Sequence, residues 1–262
     1  MRLGMAITDF ALDWFSLEGK NAIVTGGNTG LGQSFSLALA KAGASVLVPS
    51  IVPEDDTTGR LIEAEGVRYA FMEADITARG IPQAVVAACV ERLGSVDILI
   101  NSAGIVPLAG VLEYDRAPWD ATVAVNLTAA FEMSREAALL MVPQRSGKII
   151  NVCSVFSFLG GRQAPAYAAT KHGIAGLTKA YCDDLAEHNI QVNGIAPGYY
   201  ATDLTAPTRS DPELSRRIVD HIPTGRWGER LDLMGAIVFL ASRASDYVNG
   251  HVLAVDGGYL VR

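Results

Sequence analysis

The sequence predicts an α/β fold, a doubly wound and mostly parallel sheet with helices on both faces, in a single domain spanning 1–262. Three observations predict it. Short apolar runs alternate with helical patterns along the chain, and that alternation argues for strand–helix–strand units. The first apolar run leads through a glycine-rich loop into a helix. No linker interrupts the pattern.

The elements follow in order. Ala22 to Val24 reads as a buried strand. Gly26, Gly27, Gly30 and Gly32 come next. Phe35, Leu37, Ala38, Leu39 and Ala40 then mark a helix over 31–42, ended by Gly43. Further strand-like runs end near Val48, Glu73, Asn101, Cys153, Ile195 and Val255, which makes seven strands. Helical patterns lie between them at about 56–65, 81–93, 118–142, 165–188 and 231–242. Pro82 and Pro118 suit the first turn, where a missing N–H costs nothing. Residues 1–16 form an N-terminal extension. The stretch 199–228 breaks the alternation, with Pro207, Pro212, Pro223 and a charged helix around 211–221.

Open sheets of this type bind ligands beyond the strand C-terminal ends, where strand order reverses. The glycine loop, Asn101, Ser154 and Pro197 all follow strand ends, so they gather on that edge. Strand, glycine loop, helix is also the context of a dinucleotide site. Glycines let the backbone approach a pyrophosphate, and the helix N-terminus offers free N–H groups and a positive dipole end. The spacing here is G-x-x-x-G-x-G, at Gly26, Gly30 and Gly32.

The second motif is Ser154, Tyr167 and Lys171 in SVFSFLGGRQAPAYAATK. Tyr and Lys four apart lie on one helix face, which sets an ammonium beside a phenol. A fixed cation favours the charged form of a neighbouring phenol. Alone, the pair is equally an ordinary surface pair of a helix. With a serine from a preceding strand end and a nucleotide loop, it becomes a path for passing a proton to or from an alcohol or carbonyl oxygen.

These motifs together resemble the short-chain dehydrogenase/reductase family. T-G-x-x-x-G-x-G near the N-terminus and S-x12-Y-x3-K downstream carry the resemblance, which runs from about Phe15 to Arg262. Asn101-Ser102-Ala103-Gly104 is similar to that family's NNAG, with Ser in place of the second Asn. The resemblance implies a Rossmann-type seven-stranded sheet and a catalytic tetrad of Asn126, Ser154, Tyr167 and Lys171. Ser154 would hold the substrate oxygen, Tyr167 would act as acid or base, and Asn126 would anchor a water chain from Lys171. It also implies cofactor contacts from Gly26, Asn28, Thr29, Gly30, Leu31 and Gly32 in the glycine loop. Ser50, Asp75, Ile76, Asn101, Ala103 and Gly104 would meet the adenosine side and the middle of the cofactor. Pro197, Gly198 and Thr202 would cover the nicotinamide, and Tyr167 and Lys171 would touch it or its ribose. The stretch 199–228 would be a flap over the substrate.

Outside the motifs, FSLEGK, IAPGYYAT, GRWGERLDLMGAIVFLAS and ASDYVNGHVLAVDGGYLVR resemble the branch holding 2-deoxy-D-gluconate 3-dehydrogenase and gluconate 5-dehydrogenase. The implied reaction interconverts a secondary alcohol and a ketone on a sugar acid. Polyol dehydrogenase and 3-ketoacyl-type reductase are the alternatives within the same chemistry. An inactive nucleotide-binding regulator is the alternative of another class. The intact tetrad argues against the regulator, because a binder needs no proton path.

NAD is the expected cofactor, with NADP not excluded. The second strand ends at Ser50, no Arg or Lys follows it, and the next charges are Glu54, Asp55 and Asp56. A 2′-phosphate without a cation partner is costly to desolvate. Arg162 is the candidate for a substrate carboxylate, since the loop after Gly104 has no cation until Arg116. Trp227 reads equally as packing or substrate contact. His172 points about 100° away from Lys171 on the helix. His188, His221 and His251 lack ligand spacing, so no metal is expected.

Composition sets the remaining bounds. The chain is 50% hydrophobic and 19% charged, which fits an ordered domain and excludes disorder. A net charge of −7 without a basic block argues against nucleic acid or anionic membrane as partner. No apolar run reaches spanning length. Asp9 and Asp13 interrupt the N-terminal apolar stretch and spoil it as a signal peptide. Cys89, Cys153 and Cys182 are odd in number and read as free thiols in a reducing cytoplasm. The C-terminal segment stays apolar to its end, which suggests burial against another subunit. The resembling family implies a homotetramer.

Overall fold

A computed structural model describes residues 7–262. Seven strands form one sheet: β1 Asn21–Val24, β2 Ser45–Ser50, β3 Tyr69–Glu73, β4 Ile98–Asn101, β5 Gly147–Val152, β6 Ile190–Pro197 and β7 Val252–Val255. Their spatial order is β3-β2-β1-β4-β5-β6-β7. Every pairing is parallel, so the expected "mostly parallel" sheet is parallel throughout.

The helices are α1 Gly30–Lys41, α2 Thr57–Glu63, α3 Ile81–Leu93, α4 Arg116–Val123, α5 Ala129–Gln144 and α6 Pro165–Leu185. After β6 come α7 Ala206–Ser210, α8 Pro212–His221 and α9 Arg230–Ala241. The chain wraps both faces of the sheet, as a right-handed parallel sheet requires.

Both sheet faces are apolar, and the period of two divides them. Ala22 and Val24 of β1, Val46 and Val48 of β2, and Ile98 and Ile100 of β4 face Phe35, Leu39, Leu233 and Ile237 of α1 and α9. Ile23, Leu47 and Leu99 face Val85, Cys89, Met133 and Met141 of α3 and α5. Each fully buried side chain of this size contributes about 1.5–3 kcal/mol relative to exposure. The strands therefore read as continuous apolar runs, and their ends are legible from the polar residues that follow.

Register aligns those ends. Val24 pairs with Ile100, Asn101 with Asn151, and Pro197 with Val255. The strand order reverses between β1 and its neighbours β2 and β4, and the crevice above that point is where a ligand fits.

Two elements differ from the sequence expectation. The helix expected over 118–142 is divided, because a π-helical turn at Ala124–Thr128 separates α4 from α5. The flap holds a short additional helix, α7, before its charged helix α8. In the N-terminal extension, the Arg243 guanidinium lies 4.3 Å from the Trp14 ring centre, and Phe15 packs 6.4 Å from Phe239. No helix among the described residues is long and apolar enough to cross a membrane.

Candidate active site

The glycine loop joins β1 to α1 and is held from below by Thr25. The Thr25 hydroxyl accepts from the backbone N–H groups of Ser102 and Ala103 at 2.9 and 3.0 Å, which locks the loop to the end of β4. A Cβ on Gly32 would stand 2.2 Å from the Gly26 carbonyl oxygen, so only glycine lets the helix start this close to the loop. Gly30 has φ +52 and a Cβ direction that meets nothing within 4 Å. The first turn of α1 has no side-chain cap at Thr29. Its free N–H groups and the open space above Gly30 form a cradle that fits a diphosphate.

That cradle is one end of a cavity of about 490 Å³. Gly26, Thr29, Gly30, Leu31 and Gly32 line it at the loop, with Ser50 at the end of β2 and Asp75 and Ile76 after β3. Ala103 and Gly104 line its middle. Ser154, Tyr167 and Lys171 open on it from one side, and Pro197, Gly198 and Thr202 from the other. The Thr77 hydroxyl and backbone N–H, at 2.7 and 2.9 Å, lower the Asp75 carboxyl from its ordinary value.

Tyr167 and Lys171 stand one turn apart on α6. The Lys171 ammonium lies 5.4 Å from the Tyr167 ring centre and donates to the Val152 carbonyl at 2.5 Å. Lys171 is only 5% exposed. The Tyr167 ring meets Phe156 edge-on at 5.9 Å, which fixes its plane. Ser154 caps the short turn Val155–Ser157, and its hydroxyl accepts from the Phe156 N–H at 3.2 Å. Cys153 lies beside this group, and burial pushes its thiol up to about 11, so it stays protonated and inert at neutral pH.

Ser157 ties these parts together, and no sequence pattern pointed to it. Its hydroxyl accepts from the Ser154 N–H at 3.2 Å and donates to the Lys171 carbonyl at 2.6 Å. One buried hydroxyl thus sets the serine turn against the helix that carries tyrosine and lysine.

Four of the expected site residues have side chains that do not line the cavity. Asn28 donates to the Val52 carbonyl at 2.9 Å and fastens the loop after β2. Asn101 donates to Asn151 and Ser134 at 2.8 and 2.9 Å, inside the sheet–helix layer. Asn126 sits in the π turn and clamps Ile105, accepting from its N–H at 2.8 Å and donating to its carbonyl at 2.9 Å. It also donates to the Thr170 hydroxyl at 3.3 Å. Arg162 is exposed and is not among the residues that line the cavity.

The stretch 199–228, expected as a flap, lines the remaining side through Tyr200 and Thr202 to Thr205. Its two ends pair: Gly228 N–H donates to the Tyr199 carbonyl and Ala201 N–H to the Gly228 carbonyl, both at 2.8 Å. Tyr200 anchors this neck to β7 through the Val255 carbonyl at 2.8 Å. Trp227 is packing within the flap, edge-on to Tyr199 at 5.6 Å and bonded to the Ser215 hydroxyl at 3.0 Å. Asp203, Leu204 and Thr205 of the flap line the cavity next to Thr202, and Ile105 and Val106 line it from the loop after β4. The sequence singled out none of these five.

His172 turns back to the Ala168 carbonyl of its own helix. No group of three or more metal-ligating side chains occurs among the described residues.

Comparison with known proteins agrees with this architecture. A family model described as "Enoyl-(Acyl carrier protein) reductase" matches residues 26–260. The chain is 63% identical to the uncharacterized oxidoreductase YgcW of Escherichia coli K12, over 98% of each chain. It is 47% identical to 2-dehydro-3-deoxy-D-gluconate 5-dehydrogenase of the same organism, over 96% of this chain and 99% of that one. The crystal structure of a gluconate 5-dehydrogenase from Burkholderia cenocepacia J2315, in complex with NADP and tartrate, superposes with a TM-score of 0.91 at 38% identity. That match covers 97% of this chain and all (100%) of the other. By sequence, fold and site, the chain belongs to the short-chain dehydrogenase/reductase family and is an NAD(P)-dependent oxidoreductase.

Proposed function

We propose that the protein interconverts a secondary alcohol and a ketone on a sugar acid of gluconate or deoxygluconate type. One observation carries the chemistry: Ser154, Tyr167 and Lys171 open on the same cavity as the glycine cradle. The sugar-acid assignment is supported by relatives and a structural neighbour named for gluconate and 2-dehydro-3-deoxygluconate.

The bound nicotinamide cofactor supplies the hydride acceptor or donor. Gly30, Leu31 and Gly32 would hold its diphosphate, and Thr202, which lines the same cavity, would meet its nicotinamide. Ser154 holds the substrate oxygen by its hydroxyl. Tyr167 takes the proton from that oxygen in oxidation and returns it in reduction. Lys171 sets a positive charge beside the phenolate oxygen as the proton leaves. Asn126, linked to α6 through Thr170, anchors the water path by which Lys171 exchanges protons with solvent.

NAD(H) is the preferred cofactor in this reading. The adenosine end is walled by Thr29, Pro49, Ser50, Ile51 and Val52, with no cation among them. Arg60, the first cation in sequence after that wall, lies off it and faces Asp56 at 3.8 Å. A 2′-phosphate would enter that wall unpaired. The NADP of the gluconate 5-dehydrogenase neighbour favours the opposite preference, and the two cofactors must be compared directly.

The protein works as a homotetramer in the reducing cytoplasm. Support comes from three free thiols, from the exposed apolar side chains Phe131 and Leu139 on the α5–α6 face, and from β7 at the sheet edge.

A neutral polyol is the second reading, favoured by one observation. Among the wall residues the cation is Lys171, while Asp75 and Asp203 are anions. A turnover screen of aldonates, deoxy-sugar acids, polyols and ketoacyl thioesters with both cofactors tests the proposal. Turnover confined to polyols or to thioesters would remove the sugar-acid reading. Cofactor binding without any turnover would leave the inactive regulator.

A further inference from the structure

We propose that Arg209, on the flap, is the residue that recognises the substrate carboxylate. The proposal rests on the sugar-acid reading above and names the group that makes it possible. A carboxylate leaving water needs a forked guanidinium or an ammonium.

The cavity wall does not supply one. Lys171 already donates to the Val152 carbonyl at 2.5 Å and serves Tyr167. Asp203 faces the substrate end and would repel a carboxylate there. Arg162, which the sequence suggested, is exposed and away from the wall.

Arg209, like Arg162, is exposed and does not itself line the cavity, but it is bonded to a residue that does. Its Nη2 donates to the Thr202 carbonyl at 3.1 Å, and Thr202 is part of the wall. Among the described contacts it is the one guanidinium bonded to a wall residue. It stands in α7, directly after the turn Asp203–Thr205 that forms the substrate side of the cavity. The bond to Thr202 uses one of five N–H donors, and no carboxylate of the described residues pairs with the rest.

The other flap arginines are not available in this way. Arg226 grips Asp232 with two bonds of 2.7 and 2.9 Å. Arg216 and Arg217, on α8, make no bond to the wall. In this proposal the sugar chain held between Ser154 and Tyr167 extends toward Thr202, and its carboxylate end meets Arg209. The Arg209 fork then outweighs Asp203 at close range, because its bonds to the carboxylate are direct and charge-assisted.

The test compares wild type, Arg209→Ala and Arg209→Lys. Each is assayed with the best aldonate of the screen and with the neutral polyol of the same carbon chain. In Arg209→Ala, the ratio of kcat/KM for the aldonate to that for the polyol should fall about 10- to 100-fold. Arg209→Lys should recover part of it, keeping the charge and losing the fork. Inhibition by tartrate, a four-carbon hydroxy diacid, should weaken in parallel. NADH fluorescence titration and thermal unfolding confirm that cofactor site and fold persist. If wild type turns over the aldonate and the ratio stays within twofold in Arg209→Ala, Arg209 is not the carboxylate site and the sugar-acid reading stands. If wild type turns over only the polyol, both readings fall.

Discussion

Replacing Ser157 by alanine removes one oxygen atom and two hydrogen bonds. The hydroxyl accepts from Ser154 N–H at 3.2 Å and donates to the Lys171 carbonyl at 2.6 Å, at a site only 7% exposed. Alanine leaves the buried Ser154 N–H without its acceptor, which costs about 1–3 kcal/mol. For a chain of this size that is a fall in Tm of about 2–12 °C. The larger effect should be on rate. Ser157 is the direct tie between the turn carrying Ser154 and the helix carrying Tyr167 and Lys171. A shift of about 1 Å between reacting groups costs about 100-fold, so kcat should drop about 10- to 100-fold. Cofactor affinity should change little, since the glycine cradle is bonded elsewhere. Ser157→Thr, which keeps the hydroxyl, should restore most of kcat. Steady-state kinetics, an NADH titration and a thermal melt measure all three quantities. A Ser157→Ala enzyme with kcat within twofold of wild type would refute the tie, whatever its Tm.

Tyr167→Phe should lower kcat about 100- to 10,000-fold and keep cofactor binding, whereas Lys171→Ala should harm both; activity within threefold of wild type for Tyr167→Phe would sink the acid–base role. On any working substrate, kcat/KM with NAD(H) should exceed that with NADP(H), and a tenfold reverse preference would show that the adenosine pocket holds a phosphate partner. Sedimentation at micromolar concentration should report a tetramer, and a monomer would contradict the assembly. The Arg226 guanidinium, with help from the Glu229 N–H, lowers the Asp232 carboxyl to about 2. A depressed carboxylate stabilises the fold above its unfolded pKa of about 3.9 and loses that contribution as pH falls through the folded value. Protease nicking of the flap should therefore rise between about pH 4 and 2 in wild type and show no such step in Asp232→Asn.

The central strands were legible because both of their faces are buried. Apolar runs ending near Val24, Asn101 and Cys153 needed no tertiary information beyond that, and the edge strand ending at Val255 is apolar although only partly buried. The π turn around Asn126 was hidden, since one extra residue in a helix leaves the apolar pattern nearly intact. Asn28 and Asn101 show a different limit. A polar residue beside a cofactor loop reads alike whether it faces the pocket or braces it from behind, and here the side chains brace. Chain proximity drew attention to Arg162 between Ser154 and Tyr167, but its side chain is exposed and is not among those lining the cavity. Arg209 lies far from the motifs in sequence, and its bond to the Thr202 carbonyl is made within the 199–228 stretch itself. Ser157 carried no signal for this tie, because the partner is a backbone carbonyl fourteen residues on, in the following helix.

The paired neck at Tyr199, Ala201 and Gly228 gives the flap the character of an interchangeable cassette. Its two ends meet on the scaffold, so a longer or shorter excursion changes closure entropy only slowly, about 0.6 kcal/mol for each doubling of length. Grafting another flap at that neck leaves Ser154, Tyr167, Lys171 and the glycine cradle on their strands and helix. Evolution and engineering can then redraw the range of accepted substrates in 199–228 while the hydride-transfer scaffold is inherited unchanged.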